Sequence, residues 1–285
     1  MNKSLQVARA ALAAAVLIGT TALAAPVTET ITFKWDDVSY TRNVLVYPAA
    51  DPAKMKGLVI HAPGGCYGSD IEWMGEKLSA LGWQVVMPIV NTPTILGGSP
   101  TNNPLLTANI IKQYLTEHAL PERVVATGYS CGARALTLIQ EHPAVDMVVA
   151  LDNLSPAVEP KENSPSCSVW PTTTTAVPRA PAYGLASDGC QPHLSQWSCG
   201  ARCKLLGADY WAQHGQLARV DVLKATGHGS FNSDAPGWIQ DIIVEAINSW
   251  AFYDCQGPAA YLEHMRTVTD GLLSTVWTSG IGAAP

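Results

Sequence analysis

The stretch "RVVATGYSCGARALTLIQ", Arg123 to Gln140, decides the fold. Its opening "RVVATG" is a short apolar, β-branched run, the pattern of a strand buried on both faces. Its closing "CGARALTLIQ" opens a helix, expected over 134–141. Between them stands a serine at G-x-S-x-G spacing, Gly128 to Gly132. A strand that turns sharply into a helix crowds its own backbone. Glycines on either side relieve that crowding and leave Ser130 at the apex of the turn. The same stretch puts Cys131 directly against the serine.

Working outward, short β-branched runs alternate with longer helical patterns. Residues 30–33 and 42–47 read as an opening hairpin, and "GLVIH" (57–61) as a buried strand. Helical spacing over 71–81 stops at Gly82, "WQVVMPIV" (83–90) is the next strand, and 105–120 the next helix. "VDMVVAL", "PAYGLA" and "RVDVLKA" continue the strands, with helices over 194–213 and 236–252. The segment 258–277 is expected to add a last helix. This β-α-β alternation specifies an α/β fold with a mostly parallel central sheet and helices on both faces. The chain shows no internal repeat. "TTTTAVPRAP" (172–181) reads as an extended surface loop.

The ends and the charge limit the context. Residues 1–24 carry Lys3 and Arg9, then an apolar run from Ala10 to Leu23 and a small-x-small site before Ala25. That is the pattern of a cleaved secretory signal, so residues 25–285 are expected to form one domain, secreted or periplasmic. No later apolar run is long enough to span a membrane. The net charge of −6 and the lack of a basic run argue against nucleic-acid binding. All 7 cysteines follow the signal, and in an oxidising compartment such a set implies disulfides with at least one cysteine left over. The Cys190, His193, Cys199 and Cys203 spacing does not match the tight pairs of structural zinc sites.

A serine nucleophile needs a base, and the base needs an orienting acid. Of the 7 histidines, His228 in "ATGHGSFNSD" stands in a glycine-flanked loop just past a strand, on the sheet edge where the serine turn opens. Asp188 in "PAYGLASDG" holds the same position one strand earlier and is the favoured acid. Asp152, after "VDMVVAL", is its rival. An oxyanion hole requires backbone N–H groups aimed at the developing alkoxide. Cys131 would supply one, and Gly65 or Cys66 in "HAPGGCYG" the other. Tyr67 and Trp170 are candidates to line a substrate cleft.

These motifs resemble the α/β-hydrolase superfamily, and within it the secreted cutinase-like polyester hydrolases and their dienelactone-hydrolase relatives. "DIEWMGEKLSALGWQVVMPIVNT" (70–92) looks like the segment after their oxyanion loop, "LASDG" like their acid turn and "GHGSFNSDAPG" like their histidine loop. The chain departs from that branch at Cys131, where methionine is usual. The resemblance implies a monomeric serine esterase acting on small or polymeric esters, with no metal or organic cofactor. The rivals are an amidase or peptidase on the same fold and a non-catalytic binding module on a hydrolase scaffold.

Overall fold

The computed structural model describes residues 25–35, 37–64, 71–90, 103–152, 177–187, 208, 211–223, 226–253, 256–272 and 277–280. Among the described residues, nine strands form one sheet: β1 (Val27–Trp35), β2 (Val38–Tyr47), β3 (Gly57–Ala62), β4 (Trp83–Ile89), β5 (Val124–Tyr129), β6 (Met147–Leu151), β7 (Ala182–Ser187), β8 (Ala218–Leu223) and β9 (Trp277–Gly280). Their spatial order is β1-β2-β4-β3-β5-β6-β7-β8-β9. From β4 to β8 every pairing is parallel, and β1, β2 and β9 join antiparallel at the two edges.

The central strands are apolar along their whole length because both faces are covered. Every residue of β3, β5, β6, β7 and β8 is buried. Alternate side chains enter two separate cores, as the period-2 geometry of a strand demands. On one face Ile60, Ala126 and Val148 pack with α2 (Asn103–Glu117) and α3 (Cys131–Ile139). On the other, Val59, Val125 and Val149 pack with α1 (Glu72–Ala80), α4 (Gly237–Tyr253) and α5 (Pro258–Leu272).

The chain runs from β3 outward to β4, then returns across β3 to lay down β5. The strand order reverses there, and the carboxyl ends of strands at such a reversal form the ligand crevice of open α/β sheets.

Two expectations are revised. The opening hairpin is longer than its apolar residues suggested, pairing continuously from Val27 with Val46 to Trp35 with Val38. Its outer half is mostly exposed, so backbone pairing rather than burial extends it. The C-terminal helix stops at Leu272, and Trp277 instead begins β9, paired with Val222 of β8. A four-residue edge strand with one apolar residue carries too little periodicity to be legible. Most of 194–213 and all of 172–176 lie outside the described residues. Among the described residues, no helix is long and apolar enough to cross a membrane.

Candidate active site

Ser130 sits between β5 and α3 with φ 53° and ψ −112°, a left-handed conformation that costs a non-glycine residue about 1–3 kcal/mol. The surroundings force it. A Cβ on Gly128 would lie 2.7 Å from the carbonyl carbon of Gly132, and one on Gly132 only 1.9 Å from the carbonyl oxygen of Ala62. Both glycines are therefore obligatory, and the serine between them is thrust to the carboxyl edge of the sheet. Its own N–H is tied to the carbonyl of Leu151 at 3.1 Å.

His228 begins a short 3-10 turn (His228–Phe231) after β8. Its Nε2 lies 2.8 Å from Ser130 Oγ, where the serine hydroxyl donates to it. Its Nδ1–H donates to Oδ2 of Asp152. The other oxygen of that carboxylate, Oδ1, accepts the backbone N–H of Ser187 at 2.6 Å. Asp152 is itself left-handed, with φ 58°, and buried. Tyr129 pairs with Leu151 across β5 and β6, so Ser130 and Asp152 leave neighbouring strands in register. The histidine reaches both from β8.

Of the two carboxylates weighed as the acid, the structure places Asp152 on His228. The single Nδ1 donor of His228 is engaged by Asp152, the rival one strand earlier, while Asp188 lies outside the described residues. The physical reason is register: β6 ends level with β5, so its first post-strand residue already stands beside the serine. Gly65, Cys66, Tyr67 and Trp170 also lie outside the described residues. Cys131 opens α3, so its N–H is among the first four that the helix itself leaves unused. The Cys131 side chain is disulfide-bonded, and the other six cysteines all fall outside the described residues.

Three supporting groups carry no motif signal. The Tyr129 hydroxyl donates to the backbone carbonyl of His228 at 2.7 Å, and its ring lies 5.0 Å from the imidazole. From α1, the Trp73 indole N–H donates to the carbonyl of Asn232 at 3.1 Å. Within the turn, Ser230 Oγ accepts the N–H of Gly227 at 3.1 Å. The histidine is thus held from the sheet, from a helix and from its own loop. Chemically, such a chain can accept a proton from the serine hydroxyl as it attacks, and stabilise the imidazolium that results.

No family model matches the chain, and no curated protein does. Solved structures do. The acylaminoacyl peptidase of Pyrococcus horikoshii superposes with a TM-score of 0.55 at 12% identity over 81% of this chain. The chain spans only 42% of that peptidase's length. A thermophilic esterase from Thermogutta terrifontis, Est2 with butyrate bound, gives 0.55 at 15% identity, covering 76% of this chain and 92% of the esterase. Its apo form gives 0.55 at 14% identity over 81% and 95%. The chain has the α/β-hydrolase fold.

Proposed function

We propose that the protein is a serine hydrolase that cleaves carboxylic esters through an acyl-enzyme. The observation that carries this reading is the continuous contact from Ser130 Oγ through the His228 ring to a buried carboxylate, with the Oγ to Nε2 distance at 2.8 Å. Ser130 Oγ attacks the ester carbonyl while its proton passes to Nε2 of His228. The imidazolium gives that proton to the departing alcohol. Water, activated by the same nitrogen, then attacks the acyl-serine, and the acid leaves with Ser130 restored. Asp152 fixes the tautomer that leaves Nε2 basic. The alkoxide formed in each step is stabilised by the N–H of Cys131 and a second donor from the Gly65–Cys66 segment.

Ester rather than amide hydrolysis is the reading we favour. The sequence motifs resemble those of secreted esterases, and the matched Thermogutta terrifontis esterase shares the fold along 92% of its own length. Export is part of the proposal: residues 1–24 are removed, and N-terminal sequencing of the secreted form should begin at Ala25.

The deciding experiment compares wild type and Ser130→Ala on a panel of aryl esters, triglycerides, polyesters and anilides, alongside labelling by a fluorophosphonate. Wild type should hydrolyse esters and label at Ser130. The variant should lose on the order of 10³-fold or more in kcat and should not label. Faster turnover of anilides than of matched esters would favour the peptidase reading. No turnover and no labelling of wild type would leave a binding module.

A further inference from the structure

Val59 of β3 and Val125 of β5 stand side by side in the core beneath α1 and α4. Two residues further along the same strands are His61 and Thr127. Side chains two apart on a strand share a face, so both enter that same core. The two residues are themselves partners in the β3–β5 ladder, and both are fully buried. Around them the lining is apolar: Val149 pairs with Thr127 from β6, and Met87 of β4 belongs to the same core. A histidine and a threonine thus meet where an aliphatic pair would fill the space without cost.

Their polar atoms are not satisfied by the chain. Among the described residues, neither ring nitrogen of His61 nor Oγ1 of Thr127 has a hydrogen-bond partner. Such groups are few in native proteins, because a buried donor or acceptor left unpaired loses its water and gains nothing. Buried threonines elsewhere in the molecule avoid this cost locally. Thr137 donates to the Arg134 carbonyl and Thr269 to that of Met265, each one turn back in its helix. A central strand offers no such acceptor. β5 is paired on both sides, so its carbonyls point along the sheet while side chains stand roughly perpendicular to it.

We propose that His61 and Thr127 together form a binding site for an internal water molecule, bridged between an imidazole nitrogen and the threonine hydroxyl. Internal waters sit where buried polar groups would otherwise go unpaired, and they need two to four polar partners. The imidazole and the hydroxyl supply two. Their chemistry suits a bridge: burial keeps the ring neutral, with one N–H donor and one bare nitrogen, and the hydroxyl can donate or accept. Strands in a sheet lie about 4.8 Å apart, a gap that a single water between two side chains can span. The bridge ties β3 to β5 just below the serine turn. One pair further on, Ala62 meets Gly128, and Ser130 follows two residues later. The site does not depend on the hydrolase reading, since it is observable without any substrate.

The first test is a high-resolution crystal structure of the wild-type protein. A water peak within hydrogen-bond distance of both a His61 ring nitrogen and Thr127 Oγ1 is expected. No such peak, a direct bond between the two side chains, or another side chain of the protein in that place overturns the proposal.

The second test is a double-mutant cycle in urea at pH 7.5 with His61→Leu, Thr127→Val and the two combined. Each single substitution leaves the water one partner and the remaining side chain unpaired, whereas the double removes the site as a whole. The double should therefore be less damaging than the product of the single effects, by about threefold or more in the unfolding equilibrium constant. Purely multiplicative effects would mean that the two side chains share no ligand, and would overturn the proposal. If any variant does not fold, the wild-type density decides alone.

Discussion

The backbone N–H of Ser187 donates to Oδ1 of Asp152 at 2.6 Å, which leaves Oδ2 to His228. The end of β7 thus aims the carboxylate that emerges from β6. Asp152 is held a second time through its own N–H on the Leu185 carbonyl, also at 2.6 Å. A carboxylate fixed in this way can dictate the histidine tautomer. Asp152→Asn should therefore cost about 10⁴-fold in kcat with the protein still folded. Asp188→Asn should stay within a few-fold of wild type. Steady-state kinetics of the two variants on one aryl ester check this, and the opposite ranking would return the acid role to Asp188.

Tyr129 acts on the histidine through the backbone rather than the ring nitrogens. Its hydroxyl holds the His228 carbonyl at 2.7 Å from a position that is itself buried. Tyr129→Phe keeps the ring packing and removes one hydrogen bond, a change of about 0.5–1.5 kcal/mol. The expected result is a kcat reduced roughly 3- to 10-fold, corresponding to that free energy, with KM nearly unchanged. An unaltered kcat with a lowered melting temperature would make the contact structural only.

The serine turn was legible because its chemistry and its sterics coincide in five consecutive residues. Gly128 and Gly132 are required by the same close approach that presents Ser130. His228 was legible by elimination, through its position past a strand in a glycine-flanked loop. The acid was not. Asp152 and Asp188 each follow an apolar strand, and only the pairing register shows that β6 ends level with β5. Tyr129 and Trp73 were illegible for another reason. Both look like core aromatics in sequence, and their polar atoms gain a role only when the histidine loop folds back over them.

Gly132→Ala is the sharpest test of the turn itself. The added methyl would lie 1.9 Å from the Ala62 carbonyl oxygen, which belongs to a central strand and cannot move aside cheaply. Overpacking of a tight interior costs typically about 1–3 kcal/mol, occasionally more. A melting temperature lowered by several degrees, or loss of soluble protein, is expected, with any folded fraction showing displaced oxyanion donors and a reduced kcat. A variant as stable and as active as wild type would contradict the close approach of β3 and α3.

His61 gives the fold an acid sensitivity independent of the active site. It lies in β3, fully buried, and neither ring nitrogen has a hydrogen-bond partner among the described residues. Burial alone pushes its pKa down from 6.5 to about 3. The native state therefore keeps the ring neutral where the unfolded chain would protonate it. Below the unfolded pKa the unfolded state binds the extra proton, so stability falls as pH drops from 6.5 toward 3 and is fully present above 6.5. The loss approaches about 1.4 kcal/mol per pH unit, and amounts to a few kcal/mol across the window. Urea midpoints at pH 7.5, 5.5 and 4.5 should fall steadily for wild type. His61→Leu removes the titrating ring and should flatten that decline by about one proton's worth, whatever it does to stability at pH 7.5. Parallel declines in the two proteins would show that His61 is not the group responsible.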